Sequence, residues 1–137
     1  MLFAKSLGKL YKKQGNSFIV EVSQKDFGKT ILRLKAKDIE HISAITGYDN
    51  GKSIELIYHF TYDEKILSIK TKIDRKKPMI NSIVKQFPGA ELYERECFEM
   101  FGVNFHGNPN LRGVLLSKES PKTPLMKNAR KEYEKKG

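Results

Sequence analysis

Residues 39–73 read IEHISAITGYDNGKSIELIYHFTYDEKILSIKTKI, and the division of that stretch decides the fold. The first part, IEHISAITGYD, is rich in β-branched residues and breaks at Asp49-Asn50-Gly51. Asn-Gly is a strong hairpin signal, because both residues accept left-handed backbone. SIELIYHFTY then reads as a returning strand, Asp63-Glu64 as a short connection, and KILSIKTKI as a further alternating strand. Ile66, Ile69 and Ile73 do not all share one face of that last strand, which predicts a twist or bulge in it.

Working upstream, Phe18, Val20 and Val22 alternate as an earlier strand. Ser23 with Asp26 resembles a capping box, and Phe27, Ile31 and Leu34 recur at helical spacing. Gly28 weakens that helix by about 1 kcal/mol relative to Ala. Phe3, Leu7, Leu10 and Tyr11 share a helical face, which predicts a surface helix at the N-terminus, ended by Gly15-Asn16.

Downstream, Pro78 suits the first turn of a helix with Met79, Ile80, Ile83, Val84 and Phe87 as its apolar face, stopping at Pro88-Gly89. A second helix over 90–101 places Tyr93, Cys97, Met100 and Phe101 on one side, with Glu91, Glu94, Arg95 and Glu99 over much of the remainder. Gly102 fits the left-handed residue that ends it. The order β-α-β-β-β-α-α predicts an α+β fold: a small, mostly antiparallel sheet of about three to four strands with helices on one face. One domain, 1–116, is followed by an extended basic tail, 117–137. The tail carries seven Lys/Arg against three Glu and few apolar anchors, so it is predicted to order only when docked on a partner.

At 137 residues, 39% hydrophobic and 31% charged, the composition is that of one globular domain. A single cysteine excludes an internal disulfide framework, and no CxxC or Cys/His cluster is spaced to hold zinc or an iron–sulfur cluster. No apolar run approaches the roughly 20 residues that cross a bilayer. MLFAKSLGKLYKK lacks the apolar core and cleavage site of a signal peptide. The net charge of +10 calls for an acidic partner or surface, although lysine-rich composition also occurs with no charged ligand.

The densest group of chemical side chains lies in ERECFEMFG, residues 94–102, with His106 just beyond. Glu94 and Glu96 point to different sides of a helix, and no second acidic cluster stands opposite to complete an acid–base pair. Cys97 falls on the apolar helix face, where a cysteine behaves as a small hydrophobe without an orienting base. His41, His59 and His106 lie on different elements without ligand spacing. No GxGxxG or GxxxxGK[ST] loop occurs. A free-standing basic nucleic-acid-binding domain is the rival that the charge suggests, but no stacking platform of interleaved aromatic and basic residues supports it.

Residues 87–116, FPGAELYERECFEMFGVNFHGNPNLRGVLL, resemble the signature of the 30-kDa subunit family of respiratory complex I, the NADH:quinone oxidoreductase. Glu94, Arg95, Glu96, Met100, Phe101, Gly102, Phe105, Gly107, Pro109, Leu111 and Arg112 stand in matching positions at matching spacing. Weaker similarity covers AITGYDNGKSIELIYHF and PKTPLMKN, about residues 15–128 in all. Glu99, Asn108, Asn110 and Gly113 depart from the family's usual Asp, His, Asp and Arg. Such drift resembles the homologous subunit of energy-converting membrane-bound hydrogenases.

The resemblance implies a non-catalytic, peripheral-arm subunit of an ion-translocating oxidoreductase complex on the cytoplasmic side of the membrane. Its partners would be a hydrogenase-like large subunit and a small iron–sulfur subunit. Iron–sulfur clusters, and nickel–iron or quinone, would reside in those partners and none in this chain. Glu94, Arg95, Glu96, Glu99, Phe101, Gly102, Phe105, Gly107, Pro109, Leu111 and Arg112 would form the partner interface. Some of the charges in Glu94-Arg95-Glu96 are expected to pair internally with Arg112, the others, Glu99 included, with basic groups of the large subunit.

Overall fold

The computed structural model of the protein describes residues 7–39 and 41–109. Along these run β1 (Lys9–Gln14), β2 (Ser17–Glu21), α1 (Gln24–Ala36), β3 (Ile42–Asp49), β4 (Ser53–Tyr62), β5 (Lys65–Asp74), β6 (Met79–Asn81), α2 (Ala90–Phe101) and β7 (Asn104–His106). The fold is α+β, as expected, but richer in strands than three to four. A five-stranded sheet has the order β1-β2-β5-β4-β3, and β6 and β7 form a separate pair. In the large sheet β2 and β5 run parallel, and the other neighbours are antiparallel.

The hairpin at residues 49–54 forms where Asn50-Gly51 marks it. Gly51 takes the positive φ, 89°. The Asn50 side chain closes the turn by accepting from the backbone N–H groups of Lys52 and Ser53, at 2.8 and 2.7 Å. The β4–β5 connection is a two-residue turn in which Asp63 and Glu64 both have positive φ, 47° and 62°. This primed geometry matches the twist of the flanking strands. The β4–β5 register runs unbroken from Ser53–Asp74 to Tyr62–Lys65, so of the twist or bulge expected in β5 the bulge does not occur against β4. Ile66 lies instead on the open face, half exposed, while Ile69 and Ile73 face the core. The bulges occur between Leu10 and Lys12 and between Ile42 and Ala44.

The part of the expected N-terminal helix from Lys9 onward, and the whole of the helix expected after Pro78, are strand or turn, while residues 1–6 lie outside the described residues. Lys9–Gln14 forms β1, antiparallel to β2, rather than continuing an N-terminal helix. After Pro78, the backbone of Met79–Asn81 pairs in parallel with Asn104–His106. Only a single turn follows, closed by the Phe87 N–H donating to the Ile83 carbonyl at 2.8 Å.

One face of the large sheet carries the core. Cross-strand rows such as Ile45–Tyr58–Ile69–Val20 and Phe60–Leu67–Phe18 are buried there. Both helices lie on that face, α1 through Phe27 against Tyr58 (ring centroids 4.8 Å apart) and α2 against β3. Ser23 caps α1, accepting from the Asp26 N–H at 3.2 Å. The opposite face is polar and holds the Lys70–Glu55 ion pair at 2.7 Å. Burial pushes the Glu55 carboxyl up, but hydrogen bonding and charge from Lys70, aided by Asn50 and Lys72, hold it below its ordinary value. Among the described residues no helix is long and apolar enough to cross a membrane. The expected 117–137 tail lies outside the described residues.

Candidate partner interface

Helix α2 presents a stripe at positions 90, 94, 97 and 101, one or two turns apart, and all four residues on it are buried. Three are apolar or nearly so. The fourth is Glu94, which is 0% exposed. A carboxylate in such a place costs several kcal/mol unless its oxygens are satisfied. They are. Oε1 accepts from the Ser82 hydroxyl at 2.7 Å and from Asn108 Nδ2 at 2.9 Å. Oε2 accepts from the Ile83 N–H at 2.9 Å. Burial is the larger influence and raises the Glu94 carboxyl above its ordinary value, against the lowering effect of these three donors.

Glu94 therefore ties three parts of the chain together: α2, the segment leaving β6, and the loop after β7. The Ser82 hydroxyl also accepts from the Val84 N–H at 3.2 Å, which fixes its donor toward Glu94. Asn108 is a neutral donor to the carboxylate. Near Glu94 the Tyr58 hydroxyl is buried without a hydrogen-bond partner among the described residues. Burial, then the nearby Glu94 and Cys97, push it well above its ordinary value.

The other signature residues divide between interior and surface. Glu99 is buried and has its own partner. Phe101 and Phe105 belong to the core. These residues and Glu94 are buried within the chain itself, whereas the expectation gave the whole motif to a contact surface. Gly102 ends α2 in the left-handed region, φ 73°, and its N–H donates to the Phe98 carbonyl at 2.8 Å. Gly107 turns the chain after β7 with φ 99°. Arg95 and Glu96 are half-buried, Leu92 and Pro109 exposed. The Arg95 Nε is buried and has no hydrogen-bond partner among the described residues. Leu111 and Arg112 lie outside the described residues, and with them the expected internal pairing to Arg112.

Cys97 is buried, with its thiol 3.9 Å from the Ile45 carbonyl. Burial, then the charges of Glu96 and Glu94, push the thiol up to about 12. His59 on β4 lies between the Ser68 hydroxyl (2.8 Å) and the Thr46 hydroxyl (3.0 Å), and burial lowers its pKa. His106 is exposed on β7, on a different element from either. Sequence reasoning missed the inward turn of Glu94. Its spacing from Ala90, Cys97 and Phe101 was the available signal.

The sequence model of the family described as the respiratory-chain NADH dehydrogenase 30 Kd subunit matches residues 20–135. The chain is 33% identical over 89 residues to a subunit of the NADH-quinone oxidoreductase of Moorella thermoacetica, covering 64% of this chain and 60% of that protein. It is 32% identical over 81 residues to a subunit of the F(420)H(2) dehydrogenase of Methanosarcina mazei, covering 56% and 51%. The chain thus spans between half and three-fifths of these relatives. Its fold matches a chain of the membrane-bound sulfane sulfur reductase, an archaeal respiratory membrane complex, with TM-score 0.80 and 22% identity over 97% of this chain and 90% of that one. It also matches a trypsin-resistant fragment of Nqo5, with TM-score 0.71 and 17% identity over 80% and 95%.

Proposed function

The chain belongs to the family of the 30-kDa subunit of the respiratory-chain NADH dehydrogenase, and from that premise we propose that it is a non-catalytic scaffold subunit of a membrane-associated, ion-translocating oxidoreductase complex. In this reading it sits in the peripheral arm on the cytoplasmic side. It holds a hydrogenase-like large subunit against a small iron–sulfur subunit. The redox groups, iron–sulfur clusters with nickel–iron or quinone, belong to those partners.

The observation that carries the reading is the use of Glu94. The most deeply placed acid of the signature spends both oxygens on internal donors. That is the chemistry of a structural clamp: it braces the loop after β7 and the segment after β6 against α2. The outer side of α2, with Leu92, Arg95 and Glu96, is then left to meet a neighbour. Arg95 is only half-buried there, and arginine is enriched among the residues that carry binding energy at protein interfaces.

The test is purification of the tagged chain from its native source in mild detergent, with identification of the co-eluting chains. Co-elution of a large and a small redox subunit is expected, and Arg95→Ala is expected to reduce it without altering the melting of the isolated chain. Glu94→Ala is the less discriminating variant, because it orphans three donors inside the fold. An Arg95→Ala complex that assembles fully but no longer transfers electrons would return a direct chemical role to the motif.

A further inference from the structure

A groove runs between α1 and the segment from β6 to Gln86. Its two halves enclose 330 and 200 Å³, and Phe27, Gly28 and Asn81 line both. Phe27, Ile31 and Ile83 are buried beneath it, while Met79 in one half and Leu32 in the other are 44% and 57% exposed. The walls are held at a set spacing at one end, where Gln24 Nε2 donates to the Met79 carbonyl at 2.6 Å. The lining is mixed, with Gln24, Asn81, Ser82, Gln86 and His106 among the apolar residues.

Gly28 is the second observation. It lies inside α1, where glycine weakens a helix, and its φ is not in the left-handed region. Nothing among the described residues requires it. A Cβ at position 28 would find no heavy atom within 4 Å. The absence of a side chain there keeps the channel open and lets another backbone approach the helix closely.

The charge around the channel selects what enters. Lys25 and Lys29 are exposed on α1, and Lys85 is exposed beside Gln86 on the opposite wall. Asp26 is the one acid of α1, so the three lysines leave the rim net positive. Neither terminal segment outside the described residues complements this rim: MLFAKS contains no acid, and residues 110–137 carry eight Lys/Arg against three Glu. A second copy, at net +10, brings like charge. We infer that the groove docks an acidic segment with an apolar face, contributed by a neighbouring subunit of the complex. This rests on the scaffold reading above and adds a second contact surface, away from the outer side of α2.

The test uses the tagged full chain in its native source, with a photo-crosslinking phenylalanine analogue at position 32. After mild-detergent purification and irradiation, the adducts are mapped by mass spectrometry. The expected adduct joins position 32 to a peptide of a different chain with acidic residues close to the joined site. Gly28→Leu is expected to raise the melting temperature of the isolated chain, by improving the helix, yet to lower the adduct yield at least tenfold. Lys25→Glu with Lys29→Glu is expected to lower it similarly. Adducts confined to this chain's own termini or to a second copy, with other subunits still present in the eluate, overturn the inference alone. So does a Gly28→Leu yield equal to that of the parent. Co-elution of no other chain overturns the scaffold reading together with it.

Discussion

The ring of Phe101 occupies the space that a side chain at position 47 would need. A Cβ placed on Gly47 of β3 would lie 2.5 Å from Phe101 Cε2 and 2.8 Å from Cδ2. This contact lets the last turn of α2 close on the edge strand of the sheet. Gly47→Ala forces either the ring or the strand to move, at a cost of about 1–3 kcal/mol in urea unfolding. Phe101→Leu in the same chain is expected to recover part of that loss. Two strictly additive losses would show that the ring and the strand do not compete for this space.

Removal of the Glu94 side chain leaves the Ser82 hydroxyl, the Ile83 N–H and Asn108 without their acceptor. Glu94→Ala is expected to cost about 2–4 kcal/mol by the same measurement. The acid's titration gives a separate signature. Its folded-state pKa is raised above the ordinary 4.5, chiefly by burial, so folding favours the protonated form. The site's contribution is therefore largest below pH 4.5, falls as pH rises toward the folded value, and is flat above it. The stability of the parent minus that of Glu94→Gln should decline with rising pH across that window. A difference that rises with pH would contradict the assignment.

The Cys97 thiol, pushed up to about 12 and buried, holds almost no thiolate at neutral pH. A disulfide reagent at mildly alkaline pH should label the folded chain orders of magnitude more slowly than the chain unfolded in guanidinium. Rapid labelling of the folded chain would mean that α2 opens from β3 far more readily than this packing allows.

Asp49 is buried at the end of β3 and receives Arg75 at both oxygens, 2.9 and 3.1 Å, with the Gly51 N–H also donating at 2.9 Å. The pair ties the β3–β4 turn to the end of β5, and the bond to Asp49 raises the Arg75 pKa. Arg75→Ala abandons a buried carboxylate and is expected to cost about 2–3 kcal/mol. Asp49→Asn, which keeps its acceptor for Gly51, should cost less. Equal losses for the two variants would assign the stability to the turn alone.

The Asp63-Glu64 turn uses two residues in left-handed backbone where Asn-Gly is the favoured pair. Asp63→Asn with Glu64→Gly is expected to stabilise the chain by about 0.5–1 kcal/mol in the same unfolding assay. Unchanged or lowered stability would show that the glycine's entropy cost offsets the relief.

The parts of this fold legible in sequence are those whose partners are near in the chain. Asn50 closes its own turn, Ser23 caps the helix it begins, and Gly102 ends the helix it follows. Residues 79–87 were not legible. Their apolar spacing suits a helix, but Ile80 is claimed by Phe105, on a strand that forms only after α2 has folded back. Glu94 was half legible: its helix and family signature could be read, whereas its inward direction depends on donors from Ser82, Ile83 and Asn108. The groove beside Gly28 was not legible, since its far wall is that same misread segment.

The parallel pairing within the large sheet also governs the order in which the protein can be made. Residues 17–21 of β2 must wait for residues 66–70 of β5 before they gain their inner neighbour. A nascent chain that has reached the end of β4 has the strands for two hairpins, β1 with β2 and β3 with β4, but no strand that joins them. Emergence of β5 joins them in one step, and long-range closure of this kind is slow relative to hairpin formation. During synthesis the vulnerable interval is thus the passage of residues 63–74 through the ribosome exit, when β2 and β4 both offer free backbone to any other strand nearby.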